Sequence, residues 1–366
     1  MTVSVDLRHR FEGFTLAARF EAPAGLTALF GRSGSGKSTV VNAVAGLLRP
    51  DHARIEIGGR VLADTERGLW LPPEKRRIGY IFQDARLFPH MSVRQNLDYG
   101  RKLAPVPPGR AEFDRVVGML GLEGLLARRP ARLSGGETSR VAIGRALLAG
   151  PEMILADEPL AALDEARKAE ILPYFERLRD ELSIPILYVS HAAGEVARLA
   201  TSVVAIEAGR VSGQGSAAQI LGDPGLTPLG AREAGAMLEA RVVAHHADGL
   251  SEVQAGGQVL WVPRVDRPEG AALRVHVRAQ DVMLALVRPE GISALNVIPA
   301  VVRDVRPVGA DGALVQLGAG MAGAQSTLLA RVTARSVSAL GLRSGLELFA
   351  VLKAVSVARD QAARPD

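Results

Sequence analysis

Gly31-Arg32-Ser33-Gly34-Ser35-Gly36-Lys37-Ser38-Thr39 sets three glycines, one lysine and several hydroxyls between an apolar stretch and an apolar helical pattern. The spacing fits G-x-x-x-x-G-K-[ST], a loop whose glycines let backbone N–H groups curl around phosphate oxygens at a helix N-terminus. Lys37 supplies a positive charge to the β- and γ-phosphates, and the Ser38 hydroxyl is a ligand for Mg2+. A second piece is Met153-Ile154-Leu155-Ala156-Asp157-Glu158, an apolar strand ending in two carboxylates. Ligands of open α/β sheets bind at such strand ends. There Asp157 holds Mg2+ through water and Glu158 polarises an attacking water. A third piece, Leu133-Ser134-Gly135-Gly136-Glu137, precedes Val141, Ala142, Ile143, Ala146 and Leu147 at helical spacing. Serine and two glycines at a helix start form another phosphate-binding terminus, but without a lysine it is no second complete site. The three pieces together describe a nucleotide site.

Positioning them requires strands that alternate with helices. Leu26–Phe30 reads as a buried strand, and Val40, Val41, Val44, Leu47 and Leu48 recur at helical spacing after the glycine-rich loop. Further strands are expected at Ile78–Phe82, Met153–Ala156, Ile186–Ser190 and Ser202–Ile206, with an amphipathic helix marked by Phe113, Val116, Val117 and Leu120. This is the pattern of βαβ units around a parallel sheet. Pro173, inside an otherwise helical stretch, is expected to kink or end its helix. After Gly222-Asp223-Pro224-Gly225 the texture changes, and from Leu238 onward short alternating strands are separated by Gly, Pro and Asp. Leu273–Val282 resembles Leu348–Val357 in pattern, and Ala240–Val243 resembles Ala300–Arg303. Two copies of a small β unit, packed as barrels, explain the repetition.

The order of motifs resembles that of ABC-transporter ATPases. Ser134, Gly135 and Gly136 match their signature loop, which completes the site of the other subunit across a head-to-tail dimer. The resemblance implies a second copy of this chain, with ATP bound between the two and released by hydrolysis. Gln83, after Ile78–Phe82, matches the glutamine that meets Mg2+ and signals to the membrane subunit. Pro159-Leu160-Ala161-Ala162-Leu163-Asp164 matches the loop after the paired carboxylates, and His191 the switch histidine that contacts the γ-phosphate. Phe11 is the expected aromatic against adenine, with Phe14 its competitor. One departure is that Thr138 and Ser139 precede Arg140, where the family places a basic and an amide residue. The phosphate-facing residues are intact, so hydrolysis is expected to survive.

Within the family, the C-terminal β repeats point to importer ATPases carrying a regulatory domain. Over nearly its whole length the chain resembles the ATP-binding subunits of molybdate importers, most closely along Pro73–His90 and Ile184–His191. The expected fold class is an α/β P-loop NTPase (an ABC ATPase domain with a helical subdomain) followed by an all-β tandem OB-like (Mop) regulatory domain. Its expected boundaries are 1–228, 229–290 and 291–359. The resemblance implies two copies under two membrane permease subunits, fed by a periplasmic molybdate-binding protein, with tungstate a second cargo. Near Gly291 the Mop motif Ser-x-Arg-Asn reads Ser293-Ala294-Leu295-Asn296. Ser293, Asn296 and Lys353 match as oxyanion contacts, while Leu295 removes a guanidinium with up to five N–H donors. The same motifs fit importer ATPases for sulfate, ferric iron, sugar or polyamine, or a soluble ABC ATPase on nucleic acid.

Composition sets outer bounds. Of 366 residues, 48% are hydrophobic, and no apolar run reaches the length of a membrane-spanning helix. Met1–Asp6 reads as a strand and lacks the form of a signal peptide. The absence of cysteine excludes disulfides, thiolate metal sites and cysteine nucleophiles. A net charge of +5 with 4% aromatic residues suits a solvated surface near anionic lipid better than base stacking, so no nucleic-acid partner is expected. The expected place is the cytoplasmic face of the inner membrane, as a peripheral subunit.

Overall fold

Buried and exposed side chains alternate along Val3–Phe11 (β1) and Phe14–Ala22 (β2), which pair as an antiparallel hairpin closed by Phe11 opposite Phe14. Gly25–Phe30 (β3) is buried from Leu26 onward, as a strand covered on both faces must be. The chain continues through Lys37–Ala45 (α1), His52–Ile57 (β4), Arg60–Asp64 (β5), Leu69–Trp70 (β6) and Ile78–Ile81 (β7). Next come Val93–Leu103 (α2), Arg110–Met119 (α3), Gly135–Leu148 (α4), Met153–Asp157 (β8), Glu165–Glu181 (α5) and Pro185–Ser190 (β9). Ala193–Leu199 (α6), Ser202–Glu207 (β10), Arg210–Gly215 (β11) and Ala217–Gly222 (α7) follow. The computed structural model describes residues 1–104, 106–223, 226, 228, 234–309, 312–319, 326–354 and 362–363. By internal contacts they form two units, Met1–His191 with Leu199–Gln214, and Ala192–Arg198 with Gly215–Asp366.

The first unit is built on one sheet in the order β6-β5-β4-β1-β2-β11-β10-β3-β9-β8-β7. From β10 to β7 the pairing is parallel, and from β2 through β1 and β4 to β6 it is antiparallel. The parallel strands were legible as apolar runs; the antiparallel β4–β6 were not. Helix α4 packs on α2, α3 and α5, forming the helical subdomain. Helix α5 runs on through Pro173, so of the expected kink or end, the end does not occur. Pro173 is exposed, so its ring and the carbonyl it leaves without a donor lie on the solvent side, where water substitutes for the lost bond.

In the second unit the repetition is geometric. Its elements are Gly235–His245 (β12), Leu250–Ala255 (β13), Gln258–Pro263 (β14), Ala272–Arg278 (β15), Met283–Ala285 (β16) and Asn296–Val308 (β17). Gly312–Ala319 (β18), Ser326–Thr333 (β19), Ala334–Ala339 (α8), Glu347–Leu352 (β20) and Ala362–Ala363 (β21) complete them. Ala240 stands opposite Leu273, and Ala300 opposite Leu348. The register shifts after Val242 in one copy and after Val302 in the other. Val242 N–H donates to Ala271 C=O and Val302 N–H to Leu346 C=O, both at 2.9 Å. The returning bonds come from Gly270 and Gly345, at φ +81° and +84°.

The copies exchange strands: β16, after the first copy, pairs with β20, and β21, after the second, pairs with β15. One hydrophobic cluster runs through both sheets, from Leu238 and Val275 to Ile298 and Leu352. A shared core therefore joins the two β units read from the repeat. Val355, Ser356 and Val357 of the repeat, and Pro224 and Gly225 of the linker, lie outside the described residues.

His276 on β15 is fully buried, and neither ring nitrogen has a hydrogen-bond partner among the described residues. Burial, with a smaller push from Arg278, lowers its pKa from 6.5 to about 4. Between those values the unfolded chain takes up a proton that the native ring refuses. Stability contributed at this site is therefore complete above about pH 6.5 and falls as pH drops towards 4. Urea unfolding at about pH 7 and about pH 4.5 should show a larger acid loss for the wild type than for His276→Leu. Equal losses would contradict the assignment.

Candidate active site

The glycine-rich loop spans the gap from β3 to α1, and close approach dictates its glycines. A Cβ on Gly31 would stand 2.2 Å from the Ile206 carbonyl oxygen. Gly34 and Gly36 take φ +79° and +103°, and Gly36 caps α1. Lys37, the first residue of α1, is buried and folds its ammonium back onto the loop, donating to the carbonyls of Gly31 (2.7 Å) and Arg32 (2.8 Å). Burial lowers its pKa, against the opposing pull of Glu158 and Asp157. Phosphate oxygens offered at this loop would meet that same ammonium, whose loop bonds fill the site meanwhile.

Strand β8 carries the carboxylates to the same edge. Ser38 Oγ donates to Asp157 Oδ1 at 3.1 Å, and the Tyr80 hydroxyl lies 3.3 Å from Asp157 Oδ2. Burial raises the Asp157 pKa, with the two hydroxyl contacts working the other way. Glu158 is one of few non-glycine residues at positive φ, +45°. Its N–H bonds to Val189 C=O, tying it to the neighbouring β9. Its Oε1 lies 4.0 Å from Lys37 Nζ and its Oε2 3.4 Å from Nδ1 of His191, which follows β9. A cavity of about 360 Å3 is lined by Phe11, Phe14, Ser33, Gly34, Gly36, Lys37, Ser38, Thr39 and Glu158. The hydroxyl and carboxylate oxygens of Ser38 and Asp157, already in contact, are the donors a hard divalent cation selects.

The remaining expected residues are placed as follows. Arg32 is exposed; Ser35 is buried, and its hydroxyl has no partner among the described residues. Phe11 and Phe14 both line the cavity, with ring centroids 6.2 Å apart. Phe11 is 38% exposed, whereas Phe14 packs against the core. Gln83 follows β7 as an exposed residue outside the cavity lining. Ser134, Gly135 and Gly136 do not line it either. Ser134 caps α4, accepting the Glu137 N–H at its Oγ (3.2 Å) while Glu137 Oε2 accepts the Ser134 N–H (2.7 Å). The hydroxyl proton of Ser134 thus stays available to a phosphate oxygen. Ser139 bonds back to Gly135 C=O, and Arg140 to the Leu120 and Gly121 carbonyls, so the departures after the signature are satisfied within the chain.

Sequence reasoning missed three supports. Tyr80 touches both Asp157 and Asn42 of α1. Arg76, fully buried, donates to the Ala43, Val44 and Leu71 carbonyls and so holds the C-terminal end of α1. Arg145 of α4 grips the Ala85 and Arg86 carbonyls just beyond Gln83. Arg76 reads like its neighbours Lys75 and Arg77 in a basic run, so nothing in the sequence set it apart. In the second unit, Ser293 and Lys353 are exposed. Asn296 is buried, and its amide accepts from Trp261 N–H (2.7 Å) and donates to Trp261 C=O (2.9 Å). Both polar ends of that expected oxyanion contact are thus engaged by β14.

Comparison with known proteins bears on both units. The family model described as ABC transporter matches residues 19–161, and the TOBE domain model matches residues 292–358. The chain is 52% identical to the molybdenum import ATP-binding protein ModC of Mesorhizobium japonicum, over 98% of this chain and 96% of that protein. It is 48% identical to the protein of that name in Paramagnetospirillum magneticum, over the full length of both. Among solved structures, cbiO1 from Clostridium perfringens, part of the ABC transporter complex cbiONQ, is 27% identical with a TM-score of 0.50. That match covers 60% of this chain and 89% of the other.

Proposed function

Because this chain belongs to the molybdenum import ATP-binding family of ABC transporter proteins, we infer that it hydrolyses ATP to energise molybdate import. The observation that carries the reading is the set of contacts that joins Ser38 to Asp157, and Lys37 and His191 to Glu158, beside the cavity, in a chain aligned with such proteins from end to end. In this reading Lys37 and the loop N–H groups hold the β- and γ-phosphates. Ser38 and Asp157 hold Mg2+, with Gln83 brought to it on closure; the ion neutralises charge on the phosphates. Glu158 takes a proton from the attacking water, and His191, within reach of that carboxylate, contacts the γ-phosphate. Phe11, the more accessible ring, stacks on adenine.

A second copy completes the site in this reading, since the capped start of α4 leaves the Ser134 hydroxyl proton for a phosphate that its own loop does not hold. We assign residues 134–136 to the γ-phosphate of the partner, as hydroxyl and N–H donors at the start of α4. Two membrane permease subunits complete the complex, and a periplasmic molybdate-binding protein supplies it. No described helix is long and apolar enough to cross a membrane. By likeness to the import ATP-binding proteins, we place the chain as a peripheral subunit at the cytoplasmic face of the inner membrane. We divide the chain at 1–228, 229–290 and 291–359. The last segment acts as a scaffold rather than an oxyanion sensor, because Leu295 lacks a guanidinium and Asn296 is tied to Trp261.

Reconstitution with the permease and binding protein tests the reading. Molybdate-loaded binding protein should stimulate ATP turnover several-fold, whereas sulfate- or sugar-loaded proteins should not. Stimulation by one of those, and not by molybdate, would assign the chain to another importer.

A further inference from the structure

We propose that Tyr80 is a positioning residue for the Mg2+ site, its hydroxyl fixing the Asp157 carboxylate from the side opposite Ser38. The role rests on the nucleotide-site reading above. Tyr80 lies on β7, opposite Leu155 of β8, two residues before Asp157. Its ring is stacked on Phe82, with centroids 4.0 Å apart and planes 18° apart, which sets the direction of the hydroxyl. That hydroxyl reaches Asp157 Oδ2 at 3.3 Å and Asn42 Oδ1 at 3.2 Å. Neither acceptor can donate at those oxygens, and a phenol has one proton, so it bonds one acceptor at a time.

The other carboxylate oxygen, Oδ1, accepts from Ser38 at 3.1 Å. With the Tyr80 proton directed at Oδ2, Asp157 is held at both oxygens by hydroxyl donors from two elements, β7 and α1. A carboxylate can rotate freely about its terminal torsion, because that torsion is broad. The Tyr80 contact removes this freedom and presents the Asp157 oxygens beside Ser38 in a fixed plane. Partners of this outer kind are worth at least about tenfold in metal affinity where they have been removed.

The test is calorimetric, on the full chain, with ADP titrated in EDTA and then with increasing Mg2+. Y80F keeps the ring and its stacking but removes the proton. ADP affinity in EDTA should stay within about twofold of wild type, while the Mg2+ concentration giving half of the affinity gain should rise about tenfold. Asn42→Ala should keep the wild-type Mg2+ response, because Tyr80 then has Asp157 as its sole acceptor. A wild-type Mg2+ response in Y80F overturns the proposal. So does an equal loss in both variants, which would make the contact a tie between α1 and β7. A wild-type chain whose ADP affinity ignores Mg2+ overturns the site reading as well.

Discussion

Glu158→Gln should cut ATP turnover at least about 100-fold, the usual contribution of a positioned general base, while leaving a chain that binds ATP and closes on its partner. The amide fills the same volume and can still meet His191 and Lys37, which lie 3.4 Å and 4.0 Å from the carboxylate oxygens. It cannot accept a proton from water. The backbone conformation at this residue, φ +45°, costs on the order of 1–3 kcal/mol in a non-glycine residue. It persists because the N–H is bonded to Val189, which fixes where the side chain emerges from β8. With hydrolysis stopped, ATP should hold two chains together, so gel filtration with ATP should shift the variant to a stable closed dimer. Turnover within tenfold of wild type would remove Glu158 from its assigned role.

Lys37→Ala should abolish turnover by a larger route, since it removes the one ammonium at the phosphate cradle and weakens nucleotide binding as well as chemistry. Loss of a single donor to a developing phosphate charge costs about 100- to 1,000-fold. The fold should tolerate the change. The ammonium is desolvated by burial, its carboxylate partner lies 4.0 Å away, and its hydrogen bonds go to the loop itself. Water can enter the vacated cavity and bond the Gly31 and Arg32 carbonyls. Hydrolysis assays, binding of a fluorescent nucleotide and a melting curve separate these effects. Retained nucleotide affinity would contradict the role given to Lys37, and a collapsed melting temperature would show that the loop depends on it for folding.

Much of this was legible because the relevant strands are buried on both faces. Leu26–Phe30, Met153–Ala156, Ile186–Ser190 and Ser202–Ile206 are mostly apolar and lie inside the observed strands. The glycine positions were readable for an equally local reason, the positive φ angles and close approaches of the loop. What stayed hidden depends on pairing across long sequence separations. The exchange of β16 and β21 involves strands of three and two residues, too short to show a period. That α5 continues past Pro173 rests on the solvent-side position of that residue, which is a tertiary fact. Asn296 has the residue type of an oxyanion ligand, but Trp261, 35 positions away, occupies its amide. Tyr80 is one aromatic in an apolar strand until β7 and β8 are laid side by side.

The chain contains no cysteine, so two single-cysteine variants report on the shared site without background. Ser33→Cys marks the exposed phosphate loop and Ser134→Cys the exposed cap of α4. A disulfide forms only when Cβ atoms come within about 3.5–4.5 Å. Mixed and mildly oxidised with ATP, the two variants should give a covalently linked pair of chains; without ATP, or with either variant alone, they should not. A mixture that stays unlinked in ATP, while a chain carrying both cysteines closes a disulfide within itself, would mean that each copy completes its own site.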